Sequence, residues 1–145
     1  MENKKIAMAC DHAGFEMKEY IKKLLVQNGY EPVDFGTNSN DSVDYPDFAH
    51  KVGTVISSGE FSTGLVLCGS GNGVNMTVNK HKGVRSALCW NEEIARLARA
   101  HNNANVCALP ARFIAADDAW RIVKTFLNSE FEGGRHTNRV NKIDL

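Results

Sequence analysis

Apolar residues arrive along this chain in short runs with two rhythms. Lys5-Ile6-Ala7-Met8-Ala9-Cys10 is a compact apolar run and predicts a short buried strand. From Phe15 to Gln27 the spacing turns helical, with Phe15, Tyr20, Ile21, Leu24 and Leu25 on one face and Asn28-Gly29 as the stop. Pro32-Val33-Asp34-Phe35 predicts a second, weaker strand, and residues 36–44 are polar and loop-like. Pro46 suits the first turn of a helix that runs to about Ser57 and closes at Ser58-Gly59. Thr63 to Cys68 is a clear third strand, followed by a glycine-rich turn and a short helix to about Asn79. Val84 to Trp90 predicts a fourth strand. Asn91 can cap the next helix, to about Arg99, with Glu92 and Arg96 spaced to pair. Asn105 to Leu109 is the fifth strand and Ala115 to Asn128 the last long helix. The tail from Phe131 to Leu145 is polar and in part basic.

Strands that alternate with helices indicate an α/β fold, a parallel sheet with helices on both faces. Five such units fit a single-domain, doubly wound sheet of the flavodoxin or Rossmann-like kind spanning 1–145. The length of 145 residues agrees, since one core of this size buries roughly two-thirds of the unfolded surface. No repeat, linker or low-complexity segment interrupts it.

Charge narrows the function classes. Lys plus Arg and Asp plus Glu each number 17, which argues against a general nucleic-acid binder and sets no barrier to self-association. No apolar run approaches the ~18 residues of a membrane span, and the first residues lack a signal-peptide pattern, so the expected location is the cytoplasm. The four cysteines, Cys10, Cys68, Cys89 and Cys107, match no zinc spacing and are expected to be free thiols.

In such a sheet, ligands bind beyond the carboxyl ends of the strands. Asp11-His12 follow the first strand there, and Cys68-Gly69-Ser70-Gly71-Asn72-Gly73 close the third. His101-Asn102-Asn103 precede the fifth strand, Arg112 follows it, and all of these residues are expected to gather on one edge. The glycine turn can aim several amides at one point, and the next helix adds its N-terminal partial charge. That suits a phosphate or a developing oxyanion. It is neither a P-loop, for want of Gly-Lys-Ser/Thr, nor a dinucleotide fingerprint. Cys68 beside it could serve as base or nucleophile, whereas Cys10, Cys89 and Cys107 read as small apolar residues. Asp11-His12 fit an acid–base pair, a phosphate contact or a helix cap. His101 fits a helix end, His50 and His81 the surface, and His136 a basic neighbourhood. Arg135 and Arg139, four apart, would share a helix face able to clamp a phosphate; the bland alternative is a solvated tail.

Five stretches together resemble the type B ribose-5-phosphate isomerases, a family that also holds allose-6-phosphate and galactose-6-phosphate isomerases. They are Ala9-Cys10-Asp11-His12-Ala13-Gly14-Phe15, Asp44-Tyr45-Pro46, Cys68-Gly69-Ser70-Gly71-Asn72-Gly73, His101-Asn102-Asn103-Ala104-Asn105-Val106 and Glu132-Gly133-Gly134-Arg135-His136. They fall in the family's order and cover nearly the whole chain.

The resemblance implies an aldose–ketose isomerase for a sugar phosphate, using no metal or organic cofactor. It implies Cys68 as the base that moves a proton between C2 and C1. Ser70 would assist at the sugar oxygens, and the amides of Gly69, Gly71, Asn72 and Gly73 would hold the enediolate. His101 would open the ring with Asp11 as counterpart. Tyr45 and Asn102 would contact hydroxyls, and His12, Arg112, Arg135 and Arg139 the phosphate. It also implies a homodimer, or a tetramer, with sites shared between subunits, the tail packing on the partner. Where some members carry a glutamate base, this chain reads Val74-Asn75-Met76, so Cys68 is the candidate. Pro110 departs from a glycine common at this point. Two rival readings are an isomerase of a 6-phosphohexose and a non-enzymatic, flavodoxin-like module that binds a phosphorylated ligand.

Overall fold

Each strand of this protein alternates its side chains between two apolar layers, and that alternation organises the molecule. The computed structural model describes residues 4–145, so Met1–Asn3, which the sequence places ahead of the first strand, lie outside it. The strands are β1 (Lys5–Cys10), β2 (Glu31–Asp34), β3 (Gly64–Cys68), β4 (Ser86–Leu88) and β5 (Val106–Pro110). The helices are α1 (Phe15–Gln27), α2 (Tyr45–Ser57), α3 (Asn72–Val78), α4 (Glu92–Ala100), α5 (Ala116–Asn128) and α6 (Arg135–Asn141). A single 3₁₀ turn, His12–Gly14, joins β1 to α1.

All strand pairs are parallel, in the order β2-β1-β3-β5-β4. Ile6, Met8 and Cys10 of β1 pack with Leu65 and Leu67 of β3 and Cys107 and Leu109 of β5 beneath α1, α4 and α5. The intervening Ala7, Ala9, Val66, Cys68, Val106 and Ala108 face α2 and α3. Ile21 and Leu25 of α1 are fully buried. Each such side chain contributes ~1.5–3 kcal/mol by leaving water. No helix among the described residues is long and apolar enough to cross a membrane.

The expected class holds, with one exchange of strands. A flavodoxin-like order would put the fourth strand beside the third, but here β5 takes that place. Every residue of β5 is buried, whereas β4 has three half-buried residues, so the continuous apolar run sits inside and the weaker one at the edge. The predicted fourth strand, Val84 to Trp90, shrinks accordingly. Asn91 caps α4 through the Ile94 amide at 2.8 Å. Arg96 pairs with Glu93 at 2.7 Å and not with Glu92, which accepts from Thr125 at 2.9 Å. Tyr20 turns outward, 36% exposed. Of the two readings of the tail, the helix holds: α6 carries Arg135 and Arg139 and buries His136 and Val140, four residues apart, on one face.

Candidate active site

Parallel strands bring their following loops to one edge, and β1, β3 and β5 deliver the expected polar residues there. Cys68 ends β3 opposite Pro110 of β5. Its Sγ accepts a hydrogen bond from the Gly71 amide at 3.2 Å, and the residue is 5% exposed. Gly71 sits at φ +77, and a Cβ there would lie 2.5 Å from Leu88 Cδ1. The turn therefore requires glycine. The Asn72 amide donates to Ser70 Oγ at 3.2 Å. The leading amides of α3 have no acceptor within the helix, as at any helix start, so the turn is rich in donors.

Neighbouring loops lock onto this turn. The Ala111 and Arg112 amides donate to the Cys68 and Gly69 carbonyls, each at 2.9 Å. The Arg112 side chain lies over Gly69, so Pro110 does not displace it from the turn. Tyr45, at the start of α2, packs its ring against Gly73, whose missing Cβ leaves the room. Asp11 caps the 3₁₀ turn through Oδ1, which accepts from the Ala13 and Gly14 amides at 3.0 and 3.2 Å. His12 Nδ1 accepts from the Val43 amide at 3.2 Å. An open cleft of about 630 Å³, lined by His12, Ala13 and Arg112 among others, adjoins these groups. The arrangement can hold an anion among amides and a guanidinium, with a sulfur beside it.

The remaining candidates lie at the other edge. His101 closes α4, just before β5 begins, and the Glu132 amide ties the tail to the Ala100 carbonyl at 3.0 Å. Cys68 is level with Pro110, four residues beyond the start of β5, so it lies roughly 13 Å further along the strands. Within one chain, then, His101, Asn102, Arg135 and Arg139 do not join Asp11, His12, Tyr45 and Cys68–Gly73. Asn102, Arg135 and Arg139 are exposed. His101 stacks on His136, with ring centroids 4.2 Å apart. Burial and then the nearby His101 and Arg135 hold the His136 imidazole below its ordinary value.

Two features escaped the sequence reading. Lys18 is fully buried and donates to both Asp34 oxygens at 2.6 and 2.7 Å and to the Thr37 carbonyl at 2.7 Å. It sits three and seven residues before Ile21 and Leu25, inside their apolar stripe, and that position was its only signal. Burial opposes ionisation of Asp34, but Lys18, Lys22 and the Gly36 amide outweigh it and lower its pKa. This buried pair fixes the base of the loop that leads to Tyr45. The second feature is a pair of rings: His50 and His81, expected separately at the surface, meet at 2.8 Å between ring nitrogens.

With this geometry in view, comparison with known proteins is decisive. Residues 6–143 match the family model described as Ribose/Galactose Isomerase. The chain belongs to the ribose/galactose isomerase family. It is 41% identical over 140 residues to ribose-5-phosphate isomerase B of Escherichia coli K12, covering 97% of this chain and 94% of that one. Among solved members of the family, a ribose 5-phosphate isomerase from Thermotoga maritima superposes with a TM-score of 0.94 at 52% identity, covering 97% of each chain. The Mycoplasma genitalium ribose-5-phosphate isomerase B, solved with bound ribulose-5-phosphate, gives 0.93 at 42%, covering 96% of this chain and 93% of that one.

Proposed function

We propose that this protein interconverts ribose 5-phosphate and ribulose 5-phosphate through an enediolate, at a site shared by two copies of the chain in the cytoplasm. The observation that carries the reading is the Gly71 amide aimed at the sulfur of Cys68. A donor there suits a thiolate, the form of cysteine that can take a proton. Cys68 removes the C2 proton of the open-chain sugar and returns it to C1. A base contributes typically ~10²–10⁴-fold. The rest comes from amides of the Gly69–Gly73 turn and Ser70 around the enediolate oxygens, where a single donor can be worth ~10²–10³-fold. Arg112 and His12 meet the phosphate, and Tyr45 the sugar hydroxyls.

His101 opens the ring with Asp11, and Arg135 and Arg139 complete the phosphate clamp, all but Asp11 coming from the partner copy. The edge-to-edge separation within one chain supports this division. So do Phe113, Met76 and Trp90, left 76%, 65% and 56% exposed on loops and helices next to the strand ends. Apolar groups this exposed beside a polar site suit an interface with a second copy.

The test is turnover of ribose 5-phosphate in EDTA, with allose 6-phosphate as rival substrate. Cys68→Ala and His101→Ala chains are then mixed, and activity returning in the mixture is expected, since hybrid dimers carry one intact site. Turnover of the hexose alone would move the substrate. No recovery would place both residues in one subunit's site and overturn the shared arrangement. A folded chain that binds sugar phosphate without turnover would favour the binding module.

A further inference from the structure

The end of α4 and the tail bring together three ligating side chains that the proposed reaction uses only in part. The positive-φ pair Gly133-Gly134 turns the chain so that α6 lays His136 on His101, the ring planes 15° apart. Glu132 Oε1 lies 3.8 Å from His101 Nε2 and 3.7 Å from His136 Nε2. All three ligand atoms fall within 4.8 Å of one another. We propose that His101, Glu132 and His136 form a chelating site for a zinc-class divalent ion, occupied reversibly and at the expense of the isomerase reaction.

Two imidazoles and a carboxylate are a recurrent zinc donor set that leaves a fourth position for water. Bonds of about 2.1 Å on a tetrahedron put ligand atoms roughly 3.4 Å apart, a few tenths short of the two spacings from Glu132 to the histidines. In the stack the two Nε2 lone pairs lie in nearly parallel planes, so converging on one ion needs one ring to tilt, and His101 is the freer of the two. Its side chain is 36% exposed and that of His136 11%, so the outer ring has the freedom and the inner one supplies a fixed anchor. Arg135 and Arg139 oppose a dication and make the site reversible. The effect on activity rests on the reading of His101 as the ring-opening group: a coordinated His101 has no lone pair left for a sugar proton.

Cobalt(II) is the probe, titrated into the Cys68→Ala chain so that the site cysteine cannot compete. One equivalent per chain is expected, seen as visible d–d bands and displaced by zinc(II). Adding Glu132→Gln, nearly the same shape, or His136→Ala should weaken binding at least roughly tenfold, the loss typical of removing even a group that only orients a ligand. Absent bands, binding untouched by both changes, or a sulfur-to-metal charge-transfer band would overturn the site. With Cys68 intact, zinc should lower turnover and EDTA restore it. Glu132→Gln should keep basal turnover and need at least about tenfold more zinc for the same inhibition. Cobalt binding as expected, with turnover indifferent to zinc, would uphold the site and overturn instead the ring-opening role of His101.

Discussion

Cys10 and Cys68 end adjacent parallel strands, yet their surroundings assign them opposite characters. Cys10, beside Leu67, faces the layer under α1, and its thiol donates to the Thr37 carbonyl at 3.9 Å. That bond uses the thiol's own proton, which a thiolate lacks. Burial pushes the Cys10 thiol up to about 12. Cys68 faces the other layer, and its chain continues into a tight turn that hands its sulfur an N–H. The residue type and its place in the strand are the same. What differs is the turn that follows, and chemistry is read there rather than in the strand. Cys107 agrees with the buried pattern, since a hydrogen bond with Cys89 and then burial raise its pKa.

Removing the two thiols should break the comparison most visibly. Cys68→Ala is expected to lower kcat on ribose 5-phosphate by ~10²–10⁴-fold or more, the share of a general base. Cys10→Ala should leave it nearly unchanged, as measured by steady-state kinetics. Next comes the turn itself. Gly71→Ala should cost about 1–2 kcal/mol in backbone strain and about 1–3 more from crowding Leu88. Urea unfolding measures the sum, and kcat should fall with it because the amide leaves the sulfur.

The Cys10 side answers to its charged neighbours. Lys18→Met strips Asp34 of its buried partner and should cost about 3 kcal/mol, the low end for a broken buried pair because Lys22 remains at 2.7 Å. The smallest effect concerns pH. The folded-state pKa of Asp34 is depressed, so its stabilising contribution is complete above the unfolded value and is lost as pH falls through the folded one, below about 4. Acid unfolding followed by circular dichroism should show this loss, and Asp34→Asn should flatten it.

Much of this was legible in the sequence because the evidence was local. Apolar runs announced β1, β3 and β5, and the Gly69–Gly73 turn after β3 announced a site. The exchange of β4 and β5 was hidden, since it depends on how the two runs compete for the sheet's interior. Lys18 was hidden because a charged residue inside an apolar stripe reads as solvent-facing until its carboxylate partner, Asp34, is brought beside it. His101, Glu132 and His136 are separated in the chain and meet only because the tail folds back. Assigning roles to Cys68 and His101 took the resemblance, since spacing alone made Cys68 a better candidate than Cys10 but named no reaction.

The most direct measurement follows deuterium from C2 of [2-²H]ribose 5-phosphate into solvent by NMR, for the unaltered protein, Cys10→Ala and Cys68→Ala. Rapid washout is expected from the first two and none above background from Cys68→Ala that still binds the sugar phosphate; washout by Cys68→Ala at the unaltered rate would contradict the assignment of Cys68 as the base.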